Sequence, residues 1–211
     1  MTPPTAEIPD GAGRPLDPRT IRSRQAALAA VRELLTESGL PGVTHVTVAA
    51  RSGVGRSTLY RHWPDVPSMV SEALAQVRVA ATPVPTGHLR TDLVNLLNGT
   101  RMVLHHPASE RAMRALIERS GIDPAYTELK RQLHRSGAAV IEEFLNAGIA
   151  RGDLSADLDL DLAVAQLAGP VFYDRLLADR DVPPATVEKI VDAWLTLYAP
   201  QESPSHGRPS R

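Results

Sequence analysis

Seven arginines, Arg19, Arg22, Arg24, Arg32, Arg51, Arg56 and Arg61, fall between positions 19 and 62, where the acidic residues are Glu33 and Glu37 alone. That stretch carries +5, and since 23 basic against 24 acidic residues give the whole chain −1, the remainder carries −6. Guanidinium groups gathered in this way gain affinity for a phosphate backbone by displacing its counterions. A solvated basic face has the same composition, and charge by itself weighs the two readings equally.

Other constellations promise less. His105 and His106 are adjacent, with His134 further on, and neighbouring residues of a helix point about 100° apart, so the pair cannot comfortably face one ion. The acidic series Asp153, Asp157, Asp159 and Asp161 lacks the glycine and terminal glutamate of a calcium loop and is better suited to capping the helix that follows. No metal site is expected. With no cysteine and no Gly-x-Ser-x-Gly elbow, no residue set argues for an enzyme or a cofactor.

The 211 residues are 43% apolar, enough for one domain or two small ones. No apolar run approaches the ~18 residues of a membrane span, and the N-terminal stretch lacks the charged and apolar regions of a signal peptide. The expected location is the cytoplasm, without a membrane partner. Residues 1–18 and 199–211 are rich in proline and poor in apolar side chains, and both read as disordered tails.

Between the tails, apolar residues recur at steps of three and four, which predicts an all-α fold. Helices are expected over 19–38, 44–52, 56–63, 66–79, 88–105, 108–119, 124–151, 158–180 and 185–198. Gly39 suits a left-handed cap on the first, Thr44 an N-cap on the second, and Asp123 with Pro124 the start of the seventh. Prolines and small residues near 81–85 separate an N-terminal domain, 19–80, from a C-terminal one, 86–198. The eighth helix is apolar all round, Gly169-Pro170 should kink it, and the ninth has a wide apolar stripe. Together they expose more apolar surface than a small domain covers, so a homodimer is expected, with Leu162, Ala165, Phe172, Leu176, Val187, Val191 and Trp194 as interface candidates.

The segment Thr44 to Trp63, THVTVAARSGVGRSTLYRHW, decides what the basic stretch is for. Val46, Val48 and Ala49 lie within its first helix, Gly53-Val54 at a turn, and Leu59 on the buried side of its second. This is the length and spacing of a helix-turn-helix, with the motif at 44–63. The segment, supported by LLTESG before it and SMVSEAL after it, resembles the TetR (tetracycline-repressor-like) family of transcriptional regulators. The likeness is specific over about 19–78. Further on it rests on helix count, the apolar final pair and the RGDL turn at 151–154. Two positions depart from the family pattern: Gly55 stands where many members have a serine N-cap, and Val66 where lysine is frequent.

The resemblance implies a three-helix DNA-binding domain followed by a helical ligand-binding and dimerisation domain. It makes Arg56 to His62 the recognition helix in the major groove of double-stranded DNA, with Arg56, Ser57 and Arg61 reading bases. Thr58, Tyr60 and His62 would meet phosphates, as would Thr44 at the start of the preceding helix. It also implies a cavity for a small-molecule effector, for which Met102, His106, Tyr126, Leu129, Leu133 and Phe144 are plausible lining residues. The implied activity is that of a repressor binding a palindromic operator as a dimer. At this point a helical small-molecule binder or enzyme without DNA function, and a module docking an acidic partner, remain as alternatives.

Overall fold

The structure, a computed structural model, describes residues 17–198. The expected tails at 1–16 and 199–211 lie outside the described residues. Among those described the secondary structure is helical throughout: α1 Pro18–Ser38, α2 His45–Ser52, α3 Arg56–His62, α4 Val66–Ala81, α5 Leu89–His105, α6 Pro107–Arg119, α7 Pro124–Arg151, α8 Leu160–Phe172 and α9 Pro184–Tyr198. No helix of the described chain is long and apolar enough to cross a membrane.

The caps show why the helices begin where they do. Asp17 accepts from the Arg19 amide at 2.8 Å and Pro18 opens α1, so these last two residues of the predicted 1–18 tail belong to the helix and its cap. Thr44 and Thr47 form a reciprocal capping box at the head of α2. Asp123 and Asp159 accept from the first-turn amides of Ala125 and Leu162, at 2.9 and 3.0 Å, and so start α7 and α8. Gly39 has φ 68° and ψ −167°, outside the left-handed helical well and in a region that only glycine occupies readily.

Packing divides the chain into two compact units. The first holds the described residues up to Ala80 together with His106–Gln132; the second holds Ala81–His105 and the chain from Leu133 onward. In the first unit, α1 buries Ala27, Leu28, Val31 and Leu35, and packs against α2 and α6. The α6 stripe of Ala108, Ala112 and Leu116 is fully buried, so this helix and the first turns of α7 belong with the N-terminal helices. This grouping by packing cuts the chain differently from the division at 80–86, which follows chain order.

The second unit is built on α5, which packs against both α8 and α9. Its core includes Leu93, Leu97, Leu145, Leu167, Val171, Val187, Val191 and Trp194. Gly99 lies so close to the Ala81 carbonyl oxygen that any side chain there would overlap it. The expected single helix over 158–180 is instead two pieces. Pro170 lies inside α8, and the backbone then changes to a π-turn, Tyr173–Leu177, in which the Ala178 amide reaches back to the Tyr173 carbonyl at 3.0 Å.

Four of the seven interface candidates are buried within the single chain. Val187 and Val191 are fully buried within the chain, and Trp194 and Leu176 nearly so, so all four belong to the core of their own unit. Phe172 is half-buried, whereas Leu162 and Ala165 are exposed. The large apolar side chains left outside in this region are Leu162, Tyr173, Leu177 and Leu197. Val187, Val191 and Trp194 lie on one stripe of α9, and a stripe can be satisfied from within the subunit as readily as by a partner.

Candidate nucleic-acid interface

α2 and α3 pack against each other across the turn at Gly53, whose φ of 72° and ψ of 4° place it in the left-handed helical region. Nothing lies within 4 Å of where its Cβ would be, so glycine is needed there for backbone conformation and not for space. Leu59 is fully buried and anchors α3. In α2 the buried side chains are Val48 and His45, whereas Val46 is 58% exposed. The imidazole of His45 lies inside and finds a hydrogen-bond partner there, while its apolar neighbour Val46 faces outward.

At about 100° per residue, Arg56, Ser57, Tyr60 and Arg61 fall within one arc of α3, and Thr58, Leu59 and His62 within the opposite one. Burial follows this division. Arg56, Ser57, Tyr60 and Arg61 are exposed, Thr58 and His62 are half-buried, and Leu59 is inside. Thr58 and His62 therefore sit on the packing side of the helix, where a phosphate contact is harder to make than the sequence implies. The His62 Nε2 is buried without a hydrogen-bond partner. Burial first, and then the charges of Arg24 and Arg61, push His62 below the ordinary histidine range. It brings no positive charge to this face at neutral pH.

Trp63, which ends α3, is 2% exposed, and its indole N–H donates to Glu72 Oε2 on α4 at 2.8 Å. Arg24 of α1 grips the same carboxylate through two hydrogen bonds, 2.8 and 2.5 Å, with its guanidinium carbon 4.9 Å from the indole centroid. Arg24 Nη1 is also 3.5 Å from His62 Nδ1. Three helices thus meet on one carboxylate, and α3 is fixed by its last turn. Thr44 is exposed as expected, and its hydroxyl caps α2 through the Thr47 amide at 3.0 Å.

The arithmetic of +5 changes once partners are seen. Arg24 is neutralised by Glu72, which lies outside the 19–62 window, and Arg51 is held by Glu33 at 3.2 Å and Glu37 at 2.7 Å. Those two acids keep the Arg51 guanidinium charged well beyond its ordinary range. Among the described residues Arg56 and Arg61 form no ion pair with the chain, so the unspent charge of α3 is concentrated on its exposed arc. Such an arc, on a short helix following a left-handed turn, is a surface that can enter a DNA groove.

Comparison with known proteins agrees with this geometry. Residues 27–71 match the family model for bacterial regulatory proteins of the tetR family, and residues 83–194 match that of the tetracyclin repressor-like C-terminal domain. The chain belongs to the TetR family. As a TetR-family protein it is a DNA-binding transcriptional regulator. An HTH-type transcriptional regulator of Mycobacterium tuberculosis is 31% identical over 185 residues, covering 86% of this chain and 90% of the relative. The HTH-type transcriptional regulator AqdR of Rhodococcus erythropolis is 26% identical over 189 residues, 89% of this chain and 91% of its own. Among solved structures, the TetR family regulator SCO0332 superposes with a TM-score of 0.71 at 29% identity, over 85% of this chain and 100% of its own. A TetR regulator from Agrobacterium tumefaciens shares the fold, with a TM-score of 0.64 at 23% identity over 87% and 96% of the two chains.

The remaining predicted site residues of this TetR-family regulator are divided between the two units. Of the six cavity candidates, His106, Tyr126 and Leu129 belong to the first compact unit, and Met102, Leu133 and Phe144 to the second. Leu129 and Phe144 are buried, Met102 is 59% exposed, and Tyr126 lies under the Arg119 guanidinium at 5.5 Å. His105 pairs with Asp181 at 2.6 Å, whereas His106 is the N-cap residue of α6; the two neighbours serve different elements.

Sequence reasoning missed Arg24, His45, Trp63 and Glu72 as the residues that set the recognition helix in place. Trp63 alone carried a signal, since a buried indole N–H needs an acceptor. Nothing in the spacing pairs it with Glu72, because the two lie on different helices.

Proposed function

We propose that this regulator is a ligand-responsive repressor that binds a roughly palindromic operator as a homodimer. The observation that carries the reading is the exposed arc of Arg56, Ser57, Tyr60 and Arg61, whose two guanidinium groups form no ion pair among the described residues. Arg56 and Arg61 are the base readers, since each can engage guanine O6 and N7 bidentately at about 1 to 3 kcal/mol of discrimination. Ser57 adds a weakly selective contact. Tyr60 and Thr44 hold the phosphate backbone, Thr44 together with the first amides of α2. A repressor role is supported by a relative, 25% identical over 181 residues, described as the DNA-binding transcriptional repressor TetR of Mycobacteroides abscessus. As a regulator and not a catalyst, it would act in the cytoplasm.

The dimer reading now rests on the exposed apolar side chains Leu162, Tyr173, Leu177 and Leu197 in place of the buried α9 stripe. Two-fold symmetry would set the recognition helices one DNA turn, about 34 to 36 Å, apart. An effector taken up by the C-terminal helices would change that separation, a coupling of about 1 to 3 kcal/mol.

Electrophoretic shift with the DNA upstream of its own gene tests the first statement, and a salt-sensitive, sequence-selective complex is expected. Arg61→Ala should relax selectivity at one base pair per half-site; unchanged selectivity would remove Arg61 from the readers. Sedimentation at moderate concentration should show a dimer that Leu177→Glu weakens.

A further inference from the structure

We propose that His45 fixes the orientation of Tyr60 on the exposed arc of α3 and is thereby a positioning residue for operator recognition. The inference rests on the reading of Tyr60 as a DNA contact. His45 is 6% exposed and occupies the first position of α2. Its Nε2 lies 2.8 Å from the carbonyl oxygen of Trp63, which can only accept, so Nε2 carries the hydrogen. The imidazole is therefore tied at one end to the backbone of α2 and at the other to the residue that caps the C-terminus of the recognition helix. Its face lies against the phenol of Tyr60, with centroids 4.0 Å apart and planes 16° from parallel.

Tyr60 is 53% exposed. A half-exposed tyrosine on a surface helix has two free torsions, and ordering them on binding costs affinity. The parallel imidazole removes that freedom before DNA arrives, by covering one face of the ring and leaving the rest toward solvent. Trp63, anchored by Glu72, supplies the fixed point from which the imidazole is held. His45 thus links the buried anchor of α3 to a side chain on its working face, and an aliphatic residue of similar size could fill the space without providing the plane.

The test is a double-mutant cycle read by titration of a labelled duplex carrying the upstream site the wild-type protein selects. His45→Leu should weaken binding on the order of threefold to tenfold, and His45→Phe, which retains a flat face, should recover most of that loss. In a Tyr60→Ala background, His45→Leu should change affinity less than twofold. Equal losses with and without Tyr60 would overturn the positioning role while leaving Tyr60 as a DNA contact. A Tyr60→Ala protein that binds like wild type would overturn both readings. If His45→Leu does not fold, His45→Phe and His45→Gln decide the matter: the ring without the hydrogen bond should outperform the amide without the ring, and the reverse order would reject the proposal.

Discussion

Each compact unit contains one tryptophan, and the two are anchored by different chemistry. Trp63 donates to a carboxylate that also binds Arg24, whose cation in turn lies over the indole. Trp194 donates to the neutral amide of Gln166 at 3.1 Å and stacks on Tyr198, centroids 4.7 Å apart. The first is a closed circuit in which every member satisfies two others; the second is a single hydrogen bond added to apolar packing. A closed circuit fails as a whole when one member is lost, because the survivors are left with unsatisfied charge. A single bond fails alone. The recognition helix is short and cannot be held by its own backbone, so it depends on the stronger device, whereas α9 depends chiefly on Val187, Val191 and the indole itself.

Because there is one indole per unit, Trp194→Phe and Trp63→Phe backgrounds let fluorescence follow each unit separately during urea unfolding. The largest effect is expected from Glu72→Ala, which strands the half-buried Arg24 charge and the Trp63 N–H. A loss of about 2 to 3 kcal/mol should appear in the Trp63 signal, discounted from a fully buried pair because both side chains retain some exposure. A loss no greater than that of removing Gln166 would break the contrast.

Next comes Asp92, the buried carboxylate of the second unit, 3% exposed. Burial raises its pKa, but hydrogen bonds from Thr86 Oγ1 (2.6 Å), the Thr86 amide (2.7 Å) and the Gly87 amide (3.1 Å) outweigh that and hold it below the ordinary aspartate value. Its contribution is therefore present above the unfolded value, near pH 4, and lost as pH falls through the lower folded one. Asp92→Asn should cost about 2 kcal/mol at neutral pH and flatten the acid dependence of the Trp194 signal; an unchanged acid profile would show that the charged anchor of this unit lies elsewhere. Gln166→Ala should cost about 1 kcal/mol in the same signal.

The smallest effect concerns Gly55, the N-cap of α3, which makes no side-chain cap and has open space around its Cβ position. Gly55→Ser should stabilise the first unit by a few tenths of a kcal/mol. A gain approaching the Glu72 loss would mean that capping, and not the carboxylate circuit, holds the recognition helix.

Helix positions were largely legible in the sequence because caps and periodicity are local: Thr44, Gly53, Asp123 and Asp159 mark boundaries with residues whose chemistry acts within one turn. Arg56, Ser57, Tyr60 and Arg61 are named through the family resemblance and lie on the exposed arc of α3, whereas Thr58 and His62, named with them, turn to its packing side. What joins helices was not legible. Glu72 meets Trp63 and Arg24 across three elements, and the buried His45 of α2 meets the Trp63 carbonyl at the end of another. Summing charge along the chain overstated the basic stretch, since Arg24 is neutralised by a residue beyond its end. The apolar surplus of the last helices was real, but which side faced outward depended on packing with α5.

The π-turn at Tyr173–Leu177 gives that last difficulty a simple form. A turn closed from residue i to i+5 holds one residue more than an α-turn, so the helical wave is out of phase by about 100° on either side of it. A ruler of 3.6 residues laid along 158–180 therefore marks apolar positions all round the axis, although Leu176 points in and Leu177 points out. In an alignment such a site takes the form of a one-residue gap. Removing one residue there would restore the rhythm and rotate everything beyond it, carrying Leu177 to the face now held by its neighbour.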